Sequence, residues 1–332
     1  MIVHLNNNIT ELEARELAHA TSSTIAFNGS FFILVTPSAV KELPSILTGK
    51  SSGYWAMESD IQLASKKYLP ETRLVQWGKS SVGGQTKNTV VIAGPCSVES
   101  EEQIMQSAEM LVSLGINTLR AGCYKPRTSP YSFQGLGLEG LLLLSKMREK
   151  YGLKVITEVK DSSHIEEVIE HTDIIQIGAK AMYDHSILRR CGQINKPILL
   201  KRGFGSTLQE FVQAAEFILS AGNEQVMLCE RGIRTFETKT RFTFDLCGAA
   251  YLKEYTNLPV ILDPSHAMGY AYGVPDLAKA SVAFGCDGLL IEVHPNPKVA
   301  KSDASQQLDH AQFTQLHGEM KVIASAVGRQ LI

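Results

Sequence analysis

Arg120, Lys125 and Arg127 crowd into one short stretch, LRAGCYKPRTSPYS at 119–132. The apolar run 116–119 reads as a buried strand, so the three cations gather at a strand end. Pro126 and Pro130 stiffen the loop and remove backbone donors, which lowers the entropic cost of holding those side chains. Thr128 and Ser129 add hydroxyl donors of the kind that hold phosphate oxygens. The chemistry on offer is recognition of small anions; a solvated basic loop is the alternative.

Four further residues, Cys96, His266, Glu292 and Asp303, offer a thiolate, an imidazole and two carboxylates. Such a mixed soft and hard set suits a divalent transition ion: Mn, Fe, Co or Zn. Each alone also has a structural role open to it: Cys96 as a small buried residue, Glu292 as partner of a cation, Asp303 as a helix cap, His266 as a core hydrogen-bonder. His294 is a second histidine candidate near Glu292. Lys180, Lys201, Arg231 and Arg234 add more positive charge than one carboxylate needs, which suits two anionic substrates or one with phosphate at each end. Lys201 also sits where a Schiff-base aldolase places its nucleophile. Gly135, Gly137 and Gly140 match a G-x-G-x-x-G spacing without the strand that should precede it, and Gly203-Phe204-Gly205 before a helix is the better phosphate loop.

The elements that must position these residues divide in three. Residues 1–77 read as a small βαββαβ unit of ferredoxin-like type: a strand at 2–5, a helix opened by Thr10, strands at 23–27 and 31–36 around Asn28-Gly29, a second helix at 38–47 and a strand at 54–58. Residues 78–88, GKSSVGGQTKN, are polar and glycine-rich and read as a linker. The remaining 244 residues, 89–332, fit an eight-stranded (β/α)8 TIM barrel of about 250 residues. Apolar runs at 89–93, 116–119, 154–157, 174–177, 198–200, 225–229, 259–262 and 288–291 supply the strands. Helix caps at Ser100 and Ser206 open two of the intervening helices. The reactive residues all follow strand ends: Cys96, the basic loop, Glu158, Lys180, Lys201-Arg202, Glu230-Arg231, Asp263 with His266, and Glu292 with His294. They therefore share the rim where this fold does its chemistry.

The chain has 332 residues and a formal charge of −2, so no basic excess draws it to nucleic acid or to an anionic membrane. The six cysteines form no CxxC pair, the start lacks a signal peptide's pattern, and no apolar run approaches a membrane span. A reduced, cytoplasmic setting is expected.

GPCSVES at 94–100, KPRTSPYSFQGLG at 125–137, DIIQIGAKAM at 173–182, LLKRGFGST at 199–207, CERGIRTFE at 229–237, DPSHAMG at 263–269 and EVHPNP at 292–297 closely resemble the 3-deoxy-D-arabino-heptulosonate 7-phosphate (DAHP) synthases. The resemblance implies a metal-dependent barrel that condenses phosphoenolpyruvate with erythrose 4-phosphate at the head of the shikimate pathway. It implies Cys96, His266, Glu292 and Asp303 as metal ligands. Arg120, Lys125, Lys180, Lys201 and Arg231 resemble the phosphoenolpyruvate cradle, and Arg127 and Thr128 the site for the phosphate of erythrose 4-phosphate. Lys125, Cys96 and His266 are the candidate catalytic residues. The related 3-deoxy-D-manno-octulosonate 8-phosphate synthases, which use arabinose 5-phosphate, carry a KANRSS loop where this chain has KPRTS; a metabolite sensor on a dead barrel is a further alternative. The amino-terminal unit resembles the regulatory domain of one branch of the family, which implies an aromatic amino acid effector, tyrosine or phenylalanine, and a homotetramer.

Overall fold

The structure is a computed structural model that describes residues 1–125 and 129–332. The amino-terminal unit contains β1 (Ile2–Leu5), α1 (Glu11–Ala20), β2 (Thr24–Phe27), β3 (Phe32–Val35) and β4 (Ser51–Trp55). Its antiparallel sheet has the order β2-β3-β1-β4, the ferredoxin-like arrangement. The Thr10 cap of α1 forms, with its side chain accepting from the Glu13 amide at 3.3 Å. The second helix expected at 38–47 is absent; only a 3-10 turn, Ser45–Leu47, appears there. Pro44 explains the difference, because a proline inside that span removes a helical hydrogen bond and clashes with the preceding turn.

Residues 78–88, read as a linker, include one strand of a hairpin. β5 (Val75–Trp77) and β6 (Ser80–Val82) form an antiparallel hairpin through Gly78, whose φ of +56° suits the turn. Val75, Trp77 and Val82 are buried together with Val90, Ile92, Ile156, Leu199, Met227, Ile261 and Leu290 of the barrel strands. The hairpin thus closes the end of the barrel opposite the reactive rim, and the Trp77 indole donates to Thr118 Oγ1 at 2.9 Å. Val82, inside the polar and glycine-rich stretch read as a linker, is part of this plug.

The barrel strands are β7 (Asn88–Gly94), β8 (Thr118–Arg120), β9 (Lys154–Val159), β10 (Ile174–Ile177), β11 (Ile198–Lys201), β12 (Val226–Glu230), β13 (Val260–Leu262) and β14 (Gly288–Glu292). Each pairs in parallel with the next, and β14 returns to β7 to close the ring. The main outer helices are α2 (Glu101–Ser113), α3 (Leu138–Tyr151), α4 (Ile165–His171), α5 (His185–Gly192), α6 (Leu208–Ser220) and α7 (Leu246–Tyr255). A short α8 (Pro264–Met268), then α9 (Val274–Ala283), α10 (His310–Ala326) and β15 (Gln330–Leu331) complete the chain. The Ser100 cap of α2 forms as expected, while the capping box of α6 sits one residue later than its spacing suggested, on Thr207 with Glu210.

Along the barrel strands, residues two apart share a face. The lower inward positions are apolar, and the next inward positions are polar: Ile156 then Glu158, Ile174 then Gln176, Leu199 then Lys201, Ile261 then Asp263, Leu290 then Glu292. A closed ring converges these side chains on one mouth. The amino-terminal sheet packs beside α6, with Ile2, Ile33, Leu63 and Ala64 continuous with the barrel's outer core. Glu216 of α6 accepts from the backbone amides of Gln62, Leu63 and Ala64 at 2.7, 3.1 and 2.8 Å.

Trp77→Ala empties the plug and is expected to cost about 3–5 kcal/mol of stability. Trp77→Phe, which keeps most of the volume, is expected to cost about 1–2 kcal/mol. Denaturant unfolding of the two variants checks this ordering, and equal small losses would mean the hairpin does not seal the core.

Candidate active site

The site begins with a close approach between strands. Gly94 ends β7 at φ +144°, where an added Cβ would stand 2.2 Å from the Arg120 carbonyl oxygen of β8. Two residues later Cys96 is fully buried, its amide donating to Gln307 Oε1 at 2.9 Å. The Cys96 Sγ receives Lys125 Nζ at 3.0 Å and donates to Asp303 Oδ2 at 3.3 Å. Asp303 itself adopts φ +48°, a left-handed conformation that a non-glycine residue holds only where its surroundings demand it.

Cys96, Glu292 and Asp303 bring ligand atoms within 4.8 Å of one another. His266 lies alongside rather than within that trio, with Nε2 3.5 Å from Glu292 Oε1. Its Nδ1 lies 2.7 Å from Asp263 Oδ2, a contact that fixes the ring and leaves Nε2 to act as a ligand. Glu292 is held at both oxygens: Arg120 Nη1 donates to Oε1 at 2.8 Å and Gln306 Nε2 to Oε2 at 2.6 Å. Gln306 in turn accepts from Arg241 Nη1 at 2.7 Å.

Electrostatics favour anionic oxygens and a neutral imidazole here. Burial works against the Glu292 carboxylate, but His266 and Arg120 beside it hold its pKa below the usual value. Asp303 is likewise penalised by burial and pulled down further by His266, Lys125 and Arg241. Burial lowers the pKa of His266 despite Asp263. Burial, then Glu292, pushes the Cys96 thiol up to about 12. A sulfur, an imidazole nitrogen and two carboxylates fit a divalent transition ion, whose charge would favour the thiolate.

Beside this cluster is a cavity of about 330 Å³ walled by Lys125, Lys180, Lys201, Arg231, Arg241 and His266, with Glu158, Asp303, Phe204 and Phe242. The cations are anchored differently. Lys201 Nζ meets Asp263 Oδ2 at 2.7 Å inside the barrel, a committed amine that weakens the case for a Schiff-base nucleophile. Arg202 is tied to Asp245 at 2.7 Å and Glu230 at 3.4 Å, which makes it a structural ion pair. Arg231 is buried, and among the described residues its Nε and Nη1 lack a hydrogen-bond partner, which leaves them free for an anion. Lys180 is exposed at the cavity edge. Arg127 and Thr128 lie outside the described residues.

His294 pairs with Glu99 at 3.6 Å and accepts from the Asn296 amide at 3.0 Å, so it stands apart from the ligand trio. Arg234 is exposed against the Phe204 ring. Gly135 lies against the Cys123 carbonyl and Gly137 precedes α3, so that glycine run serves loop packing. Arg241, Gln306 and Gln307 escaped the sequence reading. None directly follows a barrel strand; Arg241 lies late in the loop after β12, and for Gln306 and Gln307 only the nearby Asp303 hinted that their loop reaches the mouth.

Of the six cysteines, Cys247 is exposed and the other five are buried. In metal-stripped protein near neutral pH, iodoacetamide is therefore expected to label Cys247 first, with Cys96 at least tenfold slower, because burial disfavours its thiolate. Peptide mass mapping over time checks the order, and early labelling of Cys96 would contradict the buried, protonated thiol.

Residues 65–327 match the DAHP synthetase I family. The chain is 45% identical over 267 residues to phospho-2-dehydro-3-deoxyheptonate aldolase of Thermotoga maritima, covering 80% of this chain and 78% of that protein. A 2-dehydro-3-deoxyphosphooctonate aldolase of Francisella tularensis subsp. holarctica is 34% identical over 239 residues, covering 66% of this chain and 86% of that one. The crystal structure of the Thermotoga maritima DAHP synthase superposes with a TM-score of 0.81 at 37% identity, covering 100% of this chain and 99% of that one. Fold, rim chemistry and these similarities agree that the chain belongs to the DAHP synthetase I family.

Proposed function

We propose that this chain condenses phosphoenolpyruvate with erythrose 4-phosphate to give DAHP and inorganic phosphate, opening the shikimate pathway to aromatic amino acids. The observation that carries the reading is a buried ligand set, Cys96, Glu292 and Asp303 with His266 beside it, adjoining a cavity walled by cations. Family membership makes the chain a transferase and sets aside the sensor reading. The arabinose 5-phosphate alternative is not favoured, since the similarity to the octulosonate enzyme is 34% against 45%.

In this reading Arg120, Lys125, Lys180, Lys201 and Arg231 hold phosphoenolpyruvate, and Arg127 and Thr128 take the phosphate of erythrose 4-phosphate. The cations offset repulsion between two phosphorylated substrates and orient the enol carbon C3 toward the aldehyde. C3 forms the new bond to the aldehyde carbon, water adds at C2, and the C2–O bond to phosphate then breaks. Lys125 is the proton donor to the new hydroxyl; its ammonium sits 3.0 Å from Cys96 Sγ, beside the ligand cluster. Cys96, His266, Glu292 and Asp303 would hold a divalent ion, Mn, Fe, Co or Zn, which would supply Lewis acidity to the condensation.

We place regulation in residues 1–77, with 78–88 joining them to a catalytic barrel at 89–332, in a cytoplasmic homotetramer inhibited by tyrosine or phenylalanine. The sheet β1–β4 is the sensing part, while the 75–82 hairpin belongs physically to the barrel core.

The first test is phosphate release from phosphoenolpyruvate in metal-stripped and manganese-restored enzyme, with erythrose 4-phosphate or arabinose 5-phosphate. Release is expected only with metal and erythrose 4-phosphate, and Lys125→Met is expected to lose at least about 100-fold in turnover while still binding both substrates. Release with arabinose 5-phosphate in preference, or none with either sugar, would sink the reading. For regulation, removal of residues 1–56 spares Met57, Leu63 and the hairpin; inhibition by tyrosine or phenylalanine is expected to vanish, and its persistence would refute a sensing role.

A further inference from the structure

Among the cations of the cavity wall, Arg231 is held in an unusual way. It is 5% exposed, and among the described residues its Nε and Nη1 have no hydrogen-bond partner. Its buried neighbours each meet a carboxylate, Arg120 at Glu292, Lys201 at Asp263 and Arg202 at Asp245, although the Nε atoms of Arg120 and Arg202 also lack a partner among the described residues. Against Arg231 stands a ring instead, with the guanidinium carbon 4.4 Å from the centroid of Phe242. Phe242 stacks on Phe204 at 5.6 Å and 23°, and the guanidinium carbon of Arg234 lies 4.7 Å from the Phe204 centroid. The Arg234 amide donates to the Phe204 carbonyl at 2.7 Å, which ties the loop after β11 to the loop after β12.

A carboxylate in place of that ring would hold the guanidinium strongly, but it would occupy the same donors that a phosphate needs. An aromatic face attracts the cation through its quadrupole and accepts no in-plane N–H bond. We propose that Phe242 is a positioning residue for phosphate recognition: it holds Arg231 at the cavity wall by its ring face and leaves the guanidinium edge open for a phosphate monoester or inorganic phosphate. The Phe204 stack braces the ring from an adjacent loop. The inference rests on the reading of Arg231 as a phosphate contact.

Phe242 is only half-buried, so its replacement leaves the barrel core intact. The test is calorimetric titration of inorganic phosphate into the full-length wild type, Phe242→Leu and Phe242→Tyr at fixed ionic strength, with manganese affinity measured separately. Phe242→Leu keeps an apolar side chain without the ring and is expected to weaken phosphate binding about fivefold. Phe242→Tyr is expected to stay within about twofold of wild type, and manganese affinity to be unchanged in both. Phosphate affinity within twofold of wild type in Phe242→Leu, equal weakening in both variants, or accompanying loss of manganese affinity would each overturn the assignment, as would absence of phosphate binding by the wild type. The condensation reading fails by a different observation, the absence of phosphate release from phosphoenolpyruvate.

Discussion

A charge pair inside the barrel mouth sets the terms for everything above it. Arg120 and Glu292 meet at 2.8 Å with side chains 5% and 0% exposed. Two charges taken out of water lose hydration that their attraction barely repays, so such a pair contributes little to stability and loses several kcal/mol if one partner is removed. What it provides is orientation. With Oε1 fixed by Arg120 and Oε2 by Gln306, the Glu292 carboxylate faces Cys96 and Asp303 in one arrangement. Asp263 does the same for Lys201 and His266.

The mouth is thereby sorted into two neighbouring environments. On one side, sulfur, nitrogen and carboxylate oxygens converge and suit a cation. On the other, Lys125, Lys180, Arg231 and Arg241 converge and suit anions. Lys125 stands at the border, buried and hydrogen-bonded to Cys96, with its ammonium form favoured by Cys96, Glu158 and Glu292 against the cost of burial. Segregating the charges in this way lets each side lower the cost of the other, since every ligand carboxylate lies near a cradle cation.

Much of this was legible in the chain because the barrel enforces a simple rule. Apolar runs bounded by polar residues located all eight strands, and their position just past those runs placed Glu158, Lys201, Asp263 and Glu292 at one end. The second amino-terminal helix expected at 38–47 does not form because Pro44 falls inside that span. The 75–82 hairpin was not legible because a short polar turn looks the same whether it floats in water or stoppers a barrel; only the distant residues it touches tell the two apart. Arg241 and Gln306 were invisible for a related reason. They lie more than ten residues past the strands β12 and β14 that lead into their loops, and Gln306 acts through Glu292 and Arg241, contacts set by tertiary structure alone.

The grip of Glu216 on three successive amides makes the junction between the amino-terminal sheet and the barrel a strut rather than a tether. A tethered module could tumble without informing its host. Here the backbone at 62–64 is pinned to the flank of α6, and the loop immediately before that helix carries Phe204 into the cavity wall. A force applied to the sheet must either rupture a converging set of hydrogen bonds or be delivered along the axis of α6 as a push or a twist. Leverage of this kind needs no flexible hinge, only a stiff rod with one end held and the other end standing at the mouth of the barrel.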